Sequence, residues 1–277
     1  MEIKVKLYST LSSLLVAVGI VLFSINIWGL FKDIRSEALI TADTRFPGEK
    51  RVPFDIAIKE MQKLSQENDD EFATRITKSI SDSLVHIHWH REQDTKRFNQ
   101  LIPIWENYFL YFMGKFSGIA EFEKYHYSDY ERSIKRGVGI CGDASMVMSQ
   151  LLNKYSIENK IVSFPGHVVV SAQTSEGKSM IFDPDYGVVL PYTVDEINQL
   201  PTVVTEFYQD AGYKDSDVIA LKSIYANPYQ KWNGVQHFIT KKHYFEKVAY
   251  ALKWPLPILL IASGLFWRRH TLSKIKN

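Results

Sequence analysis

Residues 137–155 read GVGICGDASMVMSQLLNKY, and this stretch decides how the middle of the chain is expected to fold. Its apolar residues recur with a helical period, so they share one face of a helix. They are Ala144, Val147, Met148, Leu151, Leu152 and Tyr155. Gly137 and Gly139 come just before this run and allow the backbone to turn tightly. The spacing therefore predicts a helix over 141–155 that begins at Cys141.

A thiol at the first residue of a helix lies beside backbone N–H groups that have no partner within the helix. These groups and the positive end of the helix dipole favour the thiolate of Cys141. The same groups, with that of Gly142 as a candidate, could hold the oxyanion that forms during acyl transfer. A lone cysteine is more often a small buried side chain that only packs. The sequence downstream of the helix distinguishes a reactive cysteine from one that only packs.

Three short segments downstream have the composition of strands: 160–164, 167–173 and 179–183. The sequence SEGK between the last two is typical of a hairpin turn. His167 begins the second segment and Asp183 ends the third, so a hairpin would bring them side by side. The order thiol, imidazole, carboxylate is that of a nucleophilic triad. Taken singly, His167 is a sheet-edge histidine and Asp183 a turn residue, and Asp185 is a second acid that could be mistaken for the triad member.

Three motifs of this region together resemble the core of the transglutaminase-like superfamily. They are Gly139-x-Cys141-x-Asp143, Gly166-His167-Val168-Val169 and Phe182-Asp183-Pro184. The resemblance covers about residues 137–191 and implies a papain-like core, with the cysteine on a helix and the histidine and aspartate on neighbouring strands. It implies acyl transfer on amides by Cys141, His167 and Asp183: peptide hydrolysis, Gln–Lys crosslinking or deglycosylation of Asn side chains. The family also includes members that have lost activity.

The resemblance also bears on the substrate. The strand after His167 reads VVVSA and lacks the aromatic residue and the Glu often found there in the family, which leaves the substrate contacts open. The longer string GHVVVSAQ…DPDYGVVLP is similar to bacterial sequences of cell-envelope polysaccharide regions. The resemblance thus implies a peptide or protein amide as the substrate, with components of the cell envelope as candidates. No cofactor is expected, since a calcium-binding acidic loop is not recognisable. Asn107 is a candidate side-chain donor to the oxyanion, and equally a structural hydrogen-bonding residue.

His86, His88 and His90 alternate in the sequence and offer a rival interpretation based on a metal. On a strand their three imidazoles would share a face and could bind zinc. The preceding apolar residues recur every four positions, which predicts a helix over 69–90 that starts after Asn68. On a helix only His86 and His90 align, so no metal site is expected.

Both ends of the chain are candidate membrane spans. From Leu7 to Phe31 the chain carries no charge over 25 residues, and about 20 suffice to cross the hydrocarbon core as a helix. The run is longer than the apolar part of a signal peptide and lacks its cleavage site. The second candidate, 248–267, needs Lys253 to reach the interface; the alternative is a buried or surface-lying helix. The flanking basic residues are Lys4, Lys6, Arg268, Arg269, Lys274 and Lys276.

These charges place both ends in the cytoplasm, and the segment between them on the periplasmic side of a bacterial inner membrane. The predicted domains are a first span with its tip (1–31), a linker (32–53), an extracytoplasmic domain (54–247, motif core 137–191), a second span (248–267) and a basic tail (268–277). A net charge of +2 without a basic block gives no support to nucleic-acid binding. The single cysteine excludes an intrachain disulfide and a paired-cysteine zinc site.

The fold class expected from these elements is α+β. It is a transglutaminase-like, papain-like core with N-terminal helices and a small antiparallel sheet, flanked by two transmembrane helices. Further helices are predicted at 54–65, from Leu101 onward, after a Thr193–Glu196 capping box, at 217–224 and at 237–252.

The leading functional hypothesis is a membrane-anchored cysteine enzyme that acts on an amide bond by acyl transfer or hydrolysis. Two alternatives stay open. One is an inactive, membrane-tethered binding or assembly module of the same fold. The other is a metal-dependent hydrolase that uses the His86–His90 cluster.

Overall fold

The structure is a computed structural model, and it describes residues 2–41, 50–175 and 177–276. Within them the helices are α1 (Glu2–Gly29), α2 (Phe54–Glu60), α3 (Asp69–Ser83), α4 (Asp94–Arg97), α5 (Tyr108–Phe116), α6 (Ala120–Glu123), α7 (Tyr130–Arg136), α8 (Cys141–Lys154), α9 (Val194–Gln199), α10 (Thr205–Asp210), α11 (Asp215–Tyr225), α12 (Val235–Phe238), α13 (Thr240–Leu252) and α14 (Pro255–Lys276). The strands are β1 (Val85–His86), β2 (Val138–Gly139), β3 (Asn159–Phe164), β4 (His167–Gln173), β5 (Ser179–Asp183), β6 (Val188–Leu190) and β7 (Gln230–Trp232). Short 3-10 helices cover Glu37–Thr41 and Pro201–Val204.

The chain divides into two compact units. One consists of the residues up to Ile34, Gln100–Tyr125, and the residues from Phe245 onward; the other consists of Arg35–Asn99 and His126–Tyr244. The first is called the membrane unit below because it holds the long apolar helix α1. The second, called the sheet unit, holds all the described strands.

The sheet unit is α+β and is built on an antiparallel sheet of five strands in the order β6-β5-β4-β3-β7. Alternate residues of each strand point to opposite faces. Val170, Ala172 and Phe182 face a core shared with α3 and α8. Val169 and Ile181 face a second core shared with the segment from α9 to α11. Because both faces are covered, the central strands are apolar on both sides, as their composition indicates.

Most of the predicted elements of the sheet unit are confirmed. Helix α8 ends one residue before the predicted position, and strands β3, β4 and β5 match the predicted segments to within one residue. Asn68 and Thr193 both form the capping boxes expected at the starts of α3 and α9. In the predicted hairpin turn, the N–H of Gly177 donates to Thr174 O at 2.9 Å. Glu176 of the same turn lies outside the described residues.

The prediction of a helix over 69–90 is wrong at its C-terminal end. Helix α3 ends at Ser83, and Val85 and His86 form β1, which pairs in parallel with Val138 and Gly139 of β2. Val85 and Ile87 are buried against Leu39 of the first 3-10 helix. Burying these β-branched residues favours the extended backbone over another helical turn.

Other boundaries also differ from those expected. Helix α2 ends at Glu60 rather than near residue 65, and the stretch from Leu101 is irregular until α5 begins at Tyr108. The predicted helix over 237–252 is split between α12 and α13. Of the predicted linker, 42–49 lies outside the described residues, as do the side chains of the lysines near both termini.

The membrane unit contains a helix that is long and apolar enough to cross a membrane, Tyr8–Gly29. A second span qualifies only if α13 and α14 are taken together as one broken span, since they are bent by 49°. The predicted second span, 248–267, therefore crosses this bend instead of forming one straight helix. Glycines allow α1 and α14 to pack closely: a Cβ on Gly19 would lie 2.7 Å from Ile261, and one on Gly264 the same distance from Val16.

Candidate active site

The start of α8 is shaped by two glycines and a capping carboxylate. Ile140 has an extended backbone, and its N–H donates to Asp143 Oδ2 at 3.0 Å. Gly137 has a φ of +74°, in the left-handed region that favours glycine. A Cβ on Gly139 would lie 2.8 Å from the Cβ of Asp143, so a larger residue does not fit there. These features set Cys141 as the first residue of α8, with a half-buried side chain.

The capping carboxylate is itself held by a buried cluster. His126 Nδ1 lies 2.8 Å from Asp143 Oδ2, and Arg136 Nη2 lies 4.0 Å from Oδ1. Burial alone would raise the pKa of Asp143, but His126 and Arg136 outweigh it, so this pKa is lowered. The ring of Trp89 stacks on His126 at 4.3 Å. The cluster fixes the turn before Cys141 without contributing a nucleophile.

His167 and Asp183 meet on the sheet, as the hairpin predicts. His167 is the first residue of β4 and Asp183 the last of β5, and the register places them as diagonal neighbours on adjacent strands. His167 Nε2 lies 2.7 Å from Asp183 Oδ2, and both side chains are buried. The carboxylate therefore fixes the orientation of the imidazole ring.

Asp183 accepts three further hydrogen bonds. Its Oδ2 accepts from the Tyr208 hydroxyl at 2.6 Å, and its Oδ1 accepts from the backbone N–H groups of Asp185 and Tyr186 at 3.1 and 3.2 Å. The Tyr208 hydroxyl is also 2.7 Å from that of Tyr225. Burial, followed by the nearby carboxylate, raises the pKa of both tyrosines well above the ordinary value, so they stay neutral. A buried carboxylate with four donors is well satisfied.

Cys141 completes this chain of contacts. The Cys141 sulfur and a ring nitrogen of His167 lie within 4.8 Å of one another. Because Nε2 is engaged by Asp183, Nδ1 is the ring nitrogen left for the sulfur. Burial by itself would lower the pKa of His167, but the Asp183 carboxylate and then Cys141 outweigh it and raise this pKa well above its ordinary value. The structure thus brings the three residues together in the predicted order, with a histidine that favours its protonated form.

A second His–Asp pair lies beside the first and was missed as a site. His86 Nε2 lies 2.8 Å from Asp185 Oδ1, and both side chains are buried. Donor atoms of Cys141, His167 and Asp185 lie within 4.8 Å of one another, so these three could hold a metal ion. The signal for His86 is the apolar–polar alternation of Val85-His86-Ile87, which is that of a strand.

The rival histidine cluster does not form the three-ligand site considered above. His86 is buried in β1, His88 is half-buried and His90 is exposed. Among the described residues, these three do not form a group whose ligand atoms converge as a metal site requires. The parallel pairing of β1 with β2 instead directs His86 to Asp185.

The two candidate oxyanion donors have different surroundings. Asn107 belongs to the membrane unit, where its Oδ1 accepts from the N–H groups of Phe109 and Leu110 and caps α5. This is the structural role that the sequence left open for it. Gly142 is the second residue of α8, beside Cys141; a Cβ there would meet only the Phe238 ring, at 3.9 Å. Its N–H belongs to the first turn, which has no acceptor within the helix.

Comparison of the chain with protein-family models, with curated proteins and with solved structures finds no match.

Proposed function

We propose that this chain is a membrane-anchored cysteine enzyme of the transglutaminase-like type, which transfers or hydrolyses the acyl group of an amide. The observation that carries the proposal is the grouping of three side chains at the start of α8: Cys141 Sγ lies within 4.8 Å of a ring nitrogen of His167, whose Nε2 lies 2.7 Å from Asp183 Oδ2. A packed, inert cysteine needs neither a buried imidazole beside it nor a carboxylate to orient that imidazole.

In the first half of the reaction, the thiolate of Cys141 attacks the carbonyl carbon of the amide and a C–S bond forms. The oxygen becomes an oxyanion, which first-turn N–H groups such as that of Gly142 can stabilise. When the C–N bond breaks, protonated His167 gives its proton to the departing amine. An acyl-enzyme and a free amine result.

In the second half, water or another amine attacks the acyl-enzyme. His167, now neutral, accepts a proton from the attacking group, and the C–S bond breaks to return the thiolate. Throughout, Asp183 accepts from Nε2–H and stabilises the charged ring. Water as the acceptor gives hydrolysis, and an amine gives transamidation.

The membrane unit supports a substrate outside the cytoplasm. Helix α1 is long and apolar enough to anchor the chain, and basic residues at the outer ends of both candidate spans favour a cytoplasmic location for the termini. The sheet unit would then face the periplasm. Peptide or protein amides of the cell envelope are therefore the proposed substrate class.

Trapping of the acyl-enzyme tests the proposal. The full chain in detergent is mixed with p-nitrophenyl acetate, and its intact mass is measured at early times. We expect one added acetyl group at Cys141 with a matching burst of p-nitrophenol, and no adduct in Cys141→Ser. His167→Gln should form the adduct at least 100-fold more slowly, as expected for loss of a general base. Equal acetylation of wild type and His167→Gln would contradict the proposal and favour the binding module.

A further inference from the structure

Asp185 is not used in the proposed reaction, yet its carboxylate faces the reacting groups. An oxygen of Asp185, a ring nitrogen of His167 and the sulfur of Cys141 lie within 4.8 Å of one another. The Asp185 side chain is 1% exposed. Its recorded partner is His86, and a buried carboxylate this close to a thiol and an imidazole has the charge that a cation would complement.

Two of these three donor groups, those of His167 and Asp185, each contact a further buried side chain. Asp183 engages Nε2 of His167 at 2.7 Å, and His86 lies 2.8 Å from Asp185. In metalloproteins a ligating histidine usually gives its other ring N–H to a carboxylate, and a ligating carboxylate is contacted in turn. The site therefore has the outer contacts of a metal centre as well as its donor atoms.

We propose that Cys141, His167 and Asp185 bind a zinc ion. Thiolate, imidazole and carboxylate together suit zinc, whereas magnesium and calcium prefer oxygen alone. Zinc–ligand distances of about 2.0–2.3 Å in a tetrahedral site place the donor atoms roughly 3.3–3.7 Å apart. The observed upper limit of 4.8 Å leaves about 1 Å of closure for side-chain rotation. Three protein ligands leave a fourth position for water.

Zinc at this site would occupy the electron pair with which the sulfur attacks an acyl group. A metal-bound chain is thus held inactive, and its thiol is protected from alkylation and oxidation. Binding releases the one proton that the Cys141–His167 pair carries, which leaves a thiolate and a neutral imidazole on the zinc, and no electron transfer occurs. The metal site depends on the same sulfur as the proposed catalysis but does not depend on the chain being an enzyme.

Cobalt and zinc titrations of the full chain in detergent test the site. Co²⁺ should produce a thiolate-to-metal absorption band, and Zn²⁺ should abolish that band and slow alkylation of Cys141 by iodoacetamide. Asp185→Asn should weaken zinc binding at least 10-fold. Asp210→Asn, which changes an exposed carboxylate, is the matched control and should bind as wild type. His86→Asn is a second variant, and should weaken binding about 10- to 100-fold through Asp185.

The absence of a cobalt–thiolate band in wild type, or wild-type zinc affinity in both Asp185→Asn and His86→Asn, would overturn the metal site. A chain that binds zinc but forms no acetyl-enzyme supports the metal site and contradicts the proposed enzyme. A chain that forms the acetyl-enzyme but binds no metal gives the opposite result.

A separate observation concerns the membrane unit. Helix α5 exposes aromatic side chains: Phe112 is 46% exposed and Phe116 is 70% exposed. Its start is tied to the ends of the long helices, because the Tyr108 hydroxyl donates to Lys253 O at 2.9 Å, just before α14. Gly29, at the end of α1, packs against the backbone of Trp105.

We infer that α5 lies on the surface of the bilayer and inserts these aromatic rings among the lipid headgroups. If α1 crosses the membrane, its end at Gly29 marks the edge of the hydrocarbon core. A helix that begins at this edge and exposes aromatic rings is suited to the interface. Lys115, which is exposed between the two rings in sequence, can reach lipid phosphates.

Fluorescence in vesicles of phosphatidylcholine and phosphatidylglycerol tests this placement. In a Cys141→Ser background, Phe116→Cys is labelled with an environment-sensitive dye, and Ile219→Cys provides the control because Ile219 is also exposed, on α11 of the sheet unit. The dye at position 116 should be blue-shifted and quenched by headgroup-level spin labels, unlike the dye at 219. An aqueous spectrum without quenching at 116 would overturn the inference.

Discussion

Replacing Asp183 with asparagine tests the contact between the carboxylate and the imidazole of the site. The substitution keeps the shape of the side chain but removes the negative charge 2.7 Å from His167 Nε2. A hydrogen bond to a charged group is worth about 1.5–3 kcal/mol. We therefore expect the pKa of His167 to fall in this variant, because the Asp183 carboxylate that raises it is gone, and the free energy of unfolding below pH ~6.5 to fall by about 1.5–3 kcal/mol.

The same pair makes stability depend on pH. The pKa of His167 is raised in the folded chain above its unfolded value of about 6.5. Its contribution to the free energy of unfolding is thus fully present below pH ~6.5 and is lost as the pH rises through the folded pKa. Asp183→Asn should reduce this contribution and shift its loss to lower pH.

The pKa of His167 is measured by nuclear magnetic resonance of the full chain, labelled at its histidines, in detergent micelles. The His167 signal is assigned by its loss in His167→Gln. His237, which is exposed on α12, provides a second histidine signal as an internal reference for chemical shift. A His167 signal that titrates near pH 6.5 in wild type, or does not move in Asp183→Asn, would refute the reasoning.

Three further substitutions test how the site and its core are built, each by thermal or urea unfolding in detergent. Tyr208→Phe removes a buried donor to the Asp183 carboxylate and should lower the free energy of unfolding by about 1–3 kcal/mol. Tyr229→Phe is the control and should cost less, because the Tyr229 hydroxyl donates to the exposed Asp195. Equal losses in the two variants would contradict this account. Gly139→Ala forces a methyl group against the side chain of the capping Asp143 and should cost about 1–3 kcal/mol of stability. Gly142→Ala is the control, because its methyl group meets no close contact. Equal losses of stability in the two variants would contradict the close approach at Gly139. Leu152→Ala in the core beneath α8 should cost about 2–5 kcal/mol, and a loss below 1 kcal/mol would contradict the packing.

The elements nearest the candidate nucleophile were predictable because their signals are local. The apolar period after Cys141 is unbroken over three turns, and the strands that begin at His167 and end at Asp183 are short apolar segments bounded by turn residues. Local period and turn chemistry suffice to fix the helix start and the hairpin, and with them the order of the three residues.

The surroundings of the site depend on contacts that are distant in sequence. His86 leaves its predicted helix because β1 pairs with β2, about 50 residues away in the chain. Tyr208 reaches Asp183 from a helix on the far face of the sheet, and Tyr225 reaches the Tyr208 hydroxyl from another. Nothing local marks either tyrosine as part of a carboxylate's surroundings. Long-range pairing and packing override local propensity at these positions.

The pH dependence of Cys141 alkylation tests the central claim most directly, since the chain has a single cysteine. The rate with iodoacetamide is measured on the full chain in detergent with excess chelator, for wild type and His167→Ala. An activated thiol–imidazole pair predicts a fast rate that persists well below pH ~8 in wild type and falls in the variant. A slow rate that rises only near pH ~8.5, the same in both proteins, would contradict it and show that the cysteine is inert.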